Sequence, residues 1–387
     1  MKAGSYYIVA GEPSGDRHAA GLARELAARD SGAKILGVGG RHLRAAGQEQ
    51  LFDLAEHAVV GLVDVLRNYG KFRRMFHRVL ADIKERNPAV VILVDFPGFN
   101  LRLAKVIRRR HPHIRLVYYI APQVWAWKSG RAREMERCLD LLLVIFPFEK
   151  KWFADRTPGL PVEWVGHPTL EEWSQDSMEA YEKRGALLVL LPGSRLREIE
   201  AHLPVFLEAA RALHPVMPEI RFLLLAPDAV RAQRLREMMR AYDGLPEIHV
   251  EDGYHMTHLS HARMAWVASG TATLECAMAG VPMAVIYKTQ PLTWWVGRRL
   301  VKLKWLSMVN IVAGEKVVPE FLQSEAKPEA FMEVTRRMWQ ADEGMLRLHR
   351  DLVELTHLLK GKGASVGAAE EILKLMSNGS RRGSGSL

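Results

Sequence analysis

The segment 186–200, ALLVLLPGSRLREIE, constrains the fold of this chain more than any other. Its residues 187–191 form an uninterrupted apolar run, which is typical of a strand buried on both faces of a parallel sheet. Pro192 and Gly193 end the run, and a helical pattern follows. This order predicts an anion site, because unpaired N–H groups and the helix dipole face the ligand. Arg195 adds a planar cation suited to phosphate, although an ordinary strand-to-helix turn with a surface arginine has the same pattern.

The same order of apolar run, turn and helical pattern recurs along the chain. Strands are predicted over residues 6–10, 35–38, 90–94, 114–120, 141–145 and 162–165, and then over 187–191, 222–225, 248–250, 265–267 and 283–286. Helical patterns cover residues 18–28, 59–80, 101–110, 229–240 and 273–278. Two successive halves of alternating strand and helix predict an α/β fold, with two doubly wound, Rossmann-like domains that face each other across a cleft.

The length of 387 residues also favours two domains. We expect an N-terminal domain over residues 1–168, a polar linker over 169–185 and a C-terminal domain over 186–328. Residues 329–376 are predicted to be helical throughout, and we expect the last helix to pack back towards the N-terminal domain. The small polar tail, residues 377–387, is predicted to be disordered.

The balance of charge suggests an anionic partner. A net charge of +10 fits nucleic acid, an anionic membrane surface or a phosphorylated substrate. The two cysteines, Cys138 and Cys276, argue against a disulfide framework and favour a reducing compartment. The first apolar run is too short for a signal peptide, and no run is long enough to span a bilayer. We therefore expect a cytoplasmic protein whose membrane contact, if any, is at its surface.

Candidate ligand-binding residues lie in the predicted turns that follow strands, where open parallel sheets bind their ligands. These turns contain Asp16, Asp95, Gln123, His167, Arg195 and Ser269. The segment 269–275, SGTATLE, offers hydroxyl groups and a second helix N-terminus for a phosphate, and its Glu275 is suited to bind a ribose diol. A simple capped helix would explain the same residues. Two phosphate-type turns in one half nevertheless favour a nucleoside-diphosphate site.

Asp95 is a candidate general base for a hydroxyl nucleophile, because a carboxylate after a buried strand must face a cleft or a hydrogen-bond donor. A turn cap, or a hydrogen bond to Asn100, would explain Asp95 equally well. Asp16 has the same two interpretations. We predict no metal, since no close histidine pair is backed by carboxylates at ligand spacing. His255, His258 and His261 are spaced for one helical face and are the weak exception.

Two stretches, 59–80 and 294–305, combine basic and aromatic residues at helical spacing. Such a pattern is typical of an interfacial membrane helix, a partner helix or a nucleic-acid patch, and equally of a core helix with a solvated face. A nucleic-acid role is the least favoured, because no recognised binding motif accompanies the basic residues. The candidate membrane-contact residues are Val65, Leu66, Tyr69, Phe72, Arg73, Phe76, Trp294 and Trp295.

Eight motifs occur together and in order in this chain. They are GEPSGD at 11–16, DFPGFN at 95–100, PQVWAW at 122–127, PFE at 147–149, GHP at 166–168, LPGSR at 191–195, SGTATLE at 269–275 and SMVN at 307–310. With this combination the chain closely resembles the lipid-A-disaccharide synthases, a family of membrane-associated glycosyltransferases with the GT-B fold. The resemblance extends from about Tyr6 to the last predicted helix.

The resemblance implies a substrate pair and a reaction. The donor is UDP-2,3-diacylglucosamine, and the acceptor is 2,3-diacylglucosamine 1-phosphate, known as lipid X. The 6-hydroxyl of the acceptor attacks the anomeric carbon of the donor with inversion, which gives a β-1,6-linked disaccharide 1-phosphate and UDP. No cofactor is implied. Another GT-B enzyme acting on UDP-sugars, either a soluble glycosyltransferase or a UDP-N-acetylglucosamine 2-epimerase, is the alternative, although an epimerase would have no use for the basic aromatic surface.

The resemblance also implies roles for individual residues. Asp95 corresponds to the candidate base, Arg195 to a contact of the UDP diphosphate, and Asn310 and Gln323 to further functional positions. Members often carry an acid where Gly98 stands here, which weakens any role for a second carboxylate in that loop. The full set comprises Asp95, Arg195 and Asn310 for catalysis; Gly193, Ser194, Arg195, Ser269, Gly270, Thr271, Thr273 and Glu275 for UDP; and Ser14, Gly15, Asp16, Asn100, Gln123 and Gln323 for the acceptor.

The resemblance further implies a location and an assembly. Both substrates carry acyl chains, so we expect a cytoplasmic enzyme that associates peripherally with the anionic inner face of the inner membrane of a Gram-negative bacterium. A homodimer with exchanged C-terminal segments is also implied.

Overall fold

The computed structural model describes residues 4–54, 69–171, 181–253, 256–290, 294–295 and 303–378. The chain forms two compact units, one containing Met1–Glu171 and Leu359–Leu387 and the other containing Glu172–Leu358. Of the predicted linker 169–185, the first residues form the 3₁₀ turn Pro168–Glu171 and the last include the 3₁₀ turn Tyr181–Lys183, while residues 172–180 lie outside the described residues.

Within the described residues of the first unit, seven parallel strands form one sheet in the order β3-β2-β1-β4-β5-β6-β7. The strands are β1 Ser5–Ala10, β2 Lys34–Gly39, β3 Glu49–Asp53, β4 Val90–Val94, β5 Arg115–Tyr119, β6 Leu141–Val144 and β7 Val162–Trp164. The helices between them are α1 Pro13–Arg29, α2 Arg41–Ala45, α3 Tyr69–Arg86, α4 Pro97–Arg110, α5 Arg131–Cys138 and α6 Pro147–Ala154.

The central strands of this sheet are buried on both faces, which explains their continuous apolar sequences. In β4, Val91 and Leu93 belong to a core that includes Val79 of α3 and Leu103 of α4. The alternate residues Val90, Ile92 and Val94 belong to a second core on the opposite face, formed with residues of α1 and of the C-terminal helix. Because helices cover both faces, the carboxyl edge of the sheet is where its loops are open to a ligand.

The second unit repeats this architecture with six described parallel strands in the order β10-β9-β8-β11-β12-β13. The strands are β8 Leu187–Leu191, β9 Arg221–Ala226, β10 Ile248–Asp252, β11 Met264–Ala268, β12 Met283–Tyr287 and β13 Glu320–Leu322. The helices are α7 Leu196–Leu213, α8 Ala229–Met239, α9 Met256–His261, α10 Thr271–Met278, α11 Met308–Ala313, α12 Pro328–Trp339 and α13 Asp342–Lys360. Two parallel-sheet α/β units confirm the predicted fold class.

The C-terminal segment is helical, as expected, but it consists of three separate helices, the last being α14 Ala364–Ser377. Helix α14 packs against α1, and its Ala368 and Ile372 are fully buried in the first unit. The carboxylate of Glu171 accepts hydrogen bonds from the backbone N–H and the hydroxyl of Ser365, each at 2.6 Å. The chain therefore begins and ends in the same unit. The predicted disordered tail falls largely on residues 379–387, outside the described residues.

The predicted and observed elements differ at sheet edges, at helix ends and in short helices that are not predicted, namely α2, α5, α6, α9 and α11. Strands β3 and β13 are not predicted, because each lies at an edge of its sheet and is short and only partly apolar. Helices α1 and α4 begin earlier than predicted, at Pro13 and Pro97, where a proline at the first helical position is well tolerated. Within the described ranges, no helix is both long and apolar enough to cross a membrane.

Candidate functional site

Strained backbone marks the carboxyl ends of three strands. Among the described residues, the non-glycine residues with positive φ are Asn87, Asp95, Phe96, Ile120, Lys128 and Gln323. Asp95 and Phe96 follow β4, Ile120 follows β5, and Gln323 follows β13. Left-handed backbone is rare outside glycine, and rarest for a β-branched residue such as Ile120. Because strain of this kind persists mainly at functional sites, these strand ends are candidates for the site.

The Asp95 loop is held by hydrogen bonds to its backbone. Asp95 and Phe96 have φ values of 45° and 49°. The carbonyl oxygen of Asp95 accepts hydrogen bonds from the hydroxyl of Tyr118 at 2.5 Å and from the amide of Asn100 at 2.8 Å. Its N–H donates to the carbonyl of Tyr119 at 3.1 Å. These contacts fix the main chain and leave the carboxylate outside the network.

Gly11 at the end of β1 is required by the same loop. A Cβ atom on Gly11 would lie 2.2 Å from the ring of Phe96, which is closer than any real contact. The Phe96 ring also stacks on Phe99 at 5.7 Å between centroids. The loops that follow β1 and β4 are therefore packed directly against each other.

The environment of Asp95 suits a general base. Burial, and to a smaller extent the nearby Glu12, raise the pKa of its carboxyl from 3.8 to about 6, although the N–H of Phe96 opposes the shift. A base is most effective when its pKa lies close to the working pH. The structure thus distinguishes Asp95 from an ordinary turn cap, the alternative interpretation of the sequence.

Asp16 plays a structural part in the first unit, and its role at the acceptor site stays a prediction. Its carboxylate is buried and accepts the N–H groups of Gly40, His42 and Leu43 at 2.6, 2.9 and 3.1 Å. It thereby binds the N-terminus of α2. In the same turn Ser14 is exposed, whereas Gly15 is buried against Val94.

Asn100 is likewise buried, and it holds the loop that contains Asp95. Its amide nitrogen donates to the carbonyls of Val94 and Asp95 at 3.1 and 2.8 Å. The side chain is fully inaccessible to solvent. Asn100 therefore positions this loop, and its bond goes to the backbone carbonyl of Asp95 and not to the carboxylate; its role at the acceptor site stays a prediction.

The loop after β5 presents Gln123 at the surface and anchors Trp125 inside. The indole of Trp125 donates to the carboxylate of Glu149 at 2.8 Å, and the same carboxylate accepts the N–H groups of Ile145 and Phe146. Burial raises the pKa of Glu149 to about 7, although these hydrogen bonds lower it. The adjacent Trp127 is 49 % exposed.

In the second unit, the Pro192 loop is arranged around Glu198. The N–H groups of Ser194 and Arg195 point at one carboxylate oxygen of Glu198, at 3.2 and 3.3 Å, and the Arg195 guanidinium donates to the other oxygen at 2.7 Å. Gly193 has a φ of 119°, and a Cβ there would lie 2.8 Å from Glu198. The helix begins after Arg195, which stands at its N-cap position. The donors of this loop are thus engaged by the carboxylate of Glu198, at the third position of the helix.

Two hydroxyl groups of the Ser269 loop form hydrogen bonds within the fold. The hydroxyl of Ser269 donates to the carbonyl of Leu306 at 2.7 Å, and that of Thr273 donates to the carbonyl of Gly270 at 2.7 Å. Thr273 is fully buried, so its predicted contact with UDP is replaced by this cap. Thr271 is exposed, and Gly270 has a φ of 150° that favours glycine. Glu275 is half-buried in the following helix.

Asn310 is saturated by contacts within its own unit. Its amide nitrogen donates to the carbonyl of Val318 and to Glu320 at 2.9 and 2.8 Å, and its oxygen accepts the N–H groups of Val317 and Val318 at 2.8 and 2.9 Å. An amide makes few further bonds. The residue is also inaccessible to solvent. These contacts give Asn310 a positioning role, and its catalytic role stays a prediction.

Gln323 is held by the loop after β12. Its amide pairs with the backbone of Thr289, donating to the carbonyl at 3.0 Å and accepting from the N–H at 3.2 Å when the amide is oriented to satisfy both. Its φ of 50° places the side chain on a strained turn at the edge of the sheet. Gln323 thus joins two strand ends of the second unit.

The candidate membrane residues are only partly described. Val65 and Leu66 lie outside the described residues, and Tyr69 opens α3. Phe76 packs edge-on against Phe99 at 5.4 Å and contributes to the core, since its position faces the sheet rather than an open surface. Phe72 is half-buried and Arg73 is exposed. In the second stretch Trp294 packs against Tyr287, and Trp295 is 55 % exposed.

The described residues contain no group of three or more potential ligands that could hold a metal ion. Of the three spaced histidines, His258 pairs with Glu251 at 2.6 Å, His261 is exposed, and His255 lies outside the described residues. His167 is buried against Phe146, and burial lowers its pKa to about 4.

The sequence patterns do not single out four buried or partly buried residues that shape these loops, namely Glu12, Tyr118, Glu149 and His202. Tyr118 lies within an apolar strand, and its contact with Asp95 joins residues far apart in sequence. Glu12 and Glu149 lie inside two of the motifs, and this position is the signal that could have identified them. The sequence does not show which groups lie close enough to be affected by their charges.

Comparison of the sequence with known proteins identifies one family and its members as relatives of this chain. A sequence model of the family described as lipid-A-disaccharide synthetase matches residues 6–348. The lipid-A-disaccharide synthase of Nitrosococcus oceani is 39 % identical over 374 residues, which cover 94 % of each chain. That of Myxococcus xanthus is 37 % identical over 379 residues, covering 96 % of this chain and 97 % of the relative.

Solved structures share the fold at much lower identity. The UDP-GlcNAc 2-epimerase of Neisseria meningitidis, bound to UDP-GlcNAc, has a TM-score of 0.60 at 10 % identity and covers 96 % of this chain and 99 % of its own. The glycotransferase of kitacinnamycin has a TM-score of 0.63 at 16 % identity, with 97 % and 100 % covered. Identities this low establish the common architecture alone.

Proposed function

The chain belongs to the family of lipid-A-disaccharide synthases, and from this premise we propose that Asp95 is the general base of its reaction and that the Pro192–Arg195 loop binds the leaving UDP. The enzyme is a UDP-sugar-dependent glycosyltransferase of lipid A biosynthesis with the GT-B fold. It condenses UDP-2,3-diacylglucosamine with lipid X, giving the β-1,6-linked disaccharide 1-phosphate and UDP.

The observation that carries the proposal is the environment of Asp95. An inverting transfer needs one base that removes the proton of the attacking 6-hydroxyl as the new bond forms. With a pKa near 6, the Asp95 carboxylate is largely ionised at pH 7 to 8, yet it is much more basic than an ordinary aspartate. The Tyr118 hydroxyl and the Asn100 amide hold its backbone, so the carboxylate is presented without being used by the fold.

The leaving diphosphate requires stabilisation of its developing negative charge. The N–H groups of Ser194 and Arg195 already bind the carboxylate of Glu198, and the guanidinium of Arg195 is 81 % exposed. We propose that the diphosphate of UDP binds these donors in the complex, together with the exposed Thr271 and the main chain of Gly270. Loss of one such donor group typically costs about 10²- to 10³-fold in turnover.

The acceptor site is assigned to exposed groups of the first unit. Ser14 and Gln123 are open to solvent after β1 and β5, the two strands that neighbour the Asp95 strand in the sheet order, and Gly15 follows Ser14 in α1 as a further candidate. Both Glu275 and Gln323 belong to the second unit; Glu275 remains a candidate contact of UDP, and Gln323 remains a candidate of the acceptor site.

We further propose that the enzyme binds peripherally to an anionic inner-membrane surface. Its substrates are acylated, and α3 presents the exposed Arg73 and Arg74 at its N-terminal end. Each basic residue near such a surface contributes about 1 kcal/mol. The Arg73→Glu, Arg74→Glu double variant should bind liposomes containing an anionic lipid at least 10-fold more weakly. Arg109→Glu, Arg110→Glu at the other end of a neighbouring helix changes the net charge equally and should bind almost as the wild type does.

The decisive test of function is product formation. The purified protein, given UDP-2,3-diacylglucosamine and lipid X, should yield the disaccharide 1-phosphate by mass spectrometry. Asp95→Asn should lower turnover by about 10²- to 10⁴-fold. Conversion of UDP-N-acetylglucosamine to its 2-epimer, with no transfer between the lipid substrates, would favour the epimerase alternative instead.

We also propose a homodimer in which the two copies exchange their C-terminal helices. Helix α14 packs on α1 of its own chain through Ala368 and Ile372. An exchanged dimer would place the same helix of a second copy on that surface. Light scattering on the full-length protein measures whether such a dimer forms.

A further inference from the structure

His202 joins two loops at the carboxyl edge of the second unit's sheet. It lies in the second turn of α7 and is only 1 % exposed. Its Nδ1 lies 2.7 Å from the carbonyl oxygen of Pro192, at the start of the proposed diphosphate loop. Its Nε2 lies 3.0 Å from the N–H of Lys288, directly after β12.

The two partners determine the form of the imidazole. The Pro192 carbonyl can only accept, so Nδ1 carries the proton; the Lys288 N–H can only donate, so Nε2 accepts. The neutral ring therefore satisfies both nitrogens at once. Burial lowers the pKa of His202, although its hydrogen bonds oppose that shift, so the neutral form is maintained at neutral pH.

The end of β12 lies beside the Pro192–Arg195 loop. Tyr287 precedes Lys288, and its phenol is close enough to Glu198 and Arg195 for both charges to affect it. The side chain of Lys288 is exposed, as is that of Arg195. Two cations are thus presented by neighbouring loops that one buried histidine ties together.

A diphosphate has more negative charge than Arg195 alone can match, since this guanidinium already pairs with Glu198. An ammonium group is well suited to the second phosphate as a compact charge. We infer that Lys288 binds the diphosphate of the donor together with Arg195, and that His202 is the positioning residue that holds the two loops in register. The inference rests on the proposed role of the Pro192–Arg195 loop in binding UDP.

The cation is tested by the affinity for UDP, measured by isothermal titration calorimetry. Lys288→Met should weaken binding at least 10-fold and raise the KM for the UDP-sugar, while Lys288→Arg should stay within about 3-fold of the wild type. The matched control is Lys183→Met, because Lys183 is exposed before the amino end of β8, at the opposite edge of the same sheet. Wild-type affinity in Lys288→Met would overturn the role of the lysine.

The two bonds of His202 can be separated by amide variants. The nitrogen of His202→Asn occupies the place of Nδ1 and keeps the bond to Pro192, whereas the oxygen of His202→Gln reaches the place of Nε2 and keeps the bond to Lys288. Each variant should weaken UDP binding about 3- to 10-fold. Combined with Lys288→Met, neither should weaken it further, because the histidine acts through the lysine.

A histidine that serves stability alone would behave differently. Both variants would then lower the melting temperature while the folded protein kept its affinity for UDP, and this result would overturn the positioning role. The wild-type assay separates this inference from the proposed function. Binding of UDP that depends on Lys288 without any transfer to lipid X would refute the function and leave the inference standing, whereas transfer unaffected by Lys288→Met would refute the inference alone.

Discussion

Replacing Asp95 by asparagine should stabilise the protein while it removes the base. The carboxyl has a pKa of about 6 in the folded chain and 3.8 as its ordinary value. Because the pKa is raised in the folded state, the contribution of this carboxyl to stability is fully present below about pH 4. It is lost as the pH rises from about 4 through 6. At about 1.4 kcal/mol per pH unit, the ionised carboxylate costs the fold at most about 3 kcal/mol at pH 8. Because Asp95 is partly accessible, we expect about 1 to 2 kcal/mol.

The assay is thermal unfolding of wild type and Asp95→Asn at pH 4 and at pH 8, alongside turnover. The variant should melt several degrees higher at pH 8, and the difference should shrink towards zero at pH 4, where the wild-type carboxyl is protonated. Asp155→Asn, at an exposed ion pair of the same unit, is the control and should change stability by less than about 0.5 kcal/mol at either pH. Equal melting temperatures at pH 8, or the same difference at both pH values, would refute the raised pKa.

Three further predictions test the surroundings of the two proposed sites. Glu12→Gln removes the negative charge that helps raise the pKa of Asp95, so the acid limb of the profile of kcat/KM against pH should move to lower pH; an unmoved limb would mean that Glu12 does not act on the base. Gly11→Ala places a methyl group 2.2 Å from the Phe96 ring and should lower turnover at least 10-fold, whereas Gly98→Ala meets nothing within 4 Å and should be neutral or slightly stabilising. Asn310→Ala leaves two N–H groups and Glu320 without their partner and should destabilise the second unit by about 2 to 4 kcal/mol, as measured by urea unfolding; full stability with lost turnover would instead support a catalytic role.

The central strands of both sheets are predictable because helices cover both of their faces, and so their sequences are apolar throughout. The run 90–94 is entirely buried, and its alternate residues enter two different cores. Edge strands give no such signal: β3 is at most half-buried, and β13 has three residues. Where helices begin is also obscured, since the motifs at 11–16 and 95–100 look like loops although Pro13 and Pro97 already start helices.

The position of the candidate site, after the buried strands, is predictable from the same apolar runs. The roles of its individual residues are not predictable from them. In the sequence, Asp16 and Asp95 each follow a buried strand within a turn of glycine and proline. Their difference depends on what the fold brings near them. Asp16 meets the free N–H groups of Gly40–Leu43, from a different loop, while the backbone of Asp95 is turned into a left-handed conformation by Tyr118 and Asn100.

Hydrogen-bond donors decide which carboxylates at these strand ends can act as bases. Asp16 accepts three N–H groups, Glu149 accepts two together with an indole, and Glu198 accepts two together with a guanidinium. These donors occupy the carboxylate oxygen atoms, so the three carboxylates are already used within the fold. The Asp95 carboxylate has the N–H of Phe96 as a donor, which lowers its pKa, but burial and the nearby carboxylate of Glu12 raise the pKa by more. The fold therefore directs the Tyr118 and Asn100 donors to the backbone of Asp95, which fixes the proposed base in place and leaves its pKa above the ordinary value.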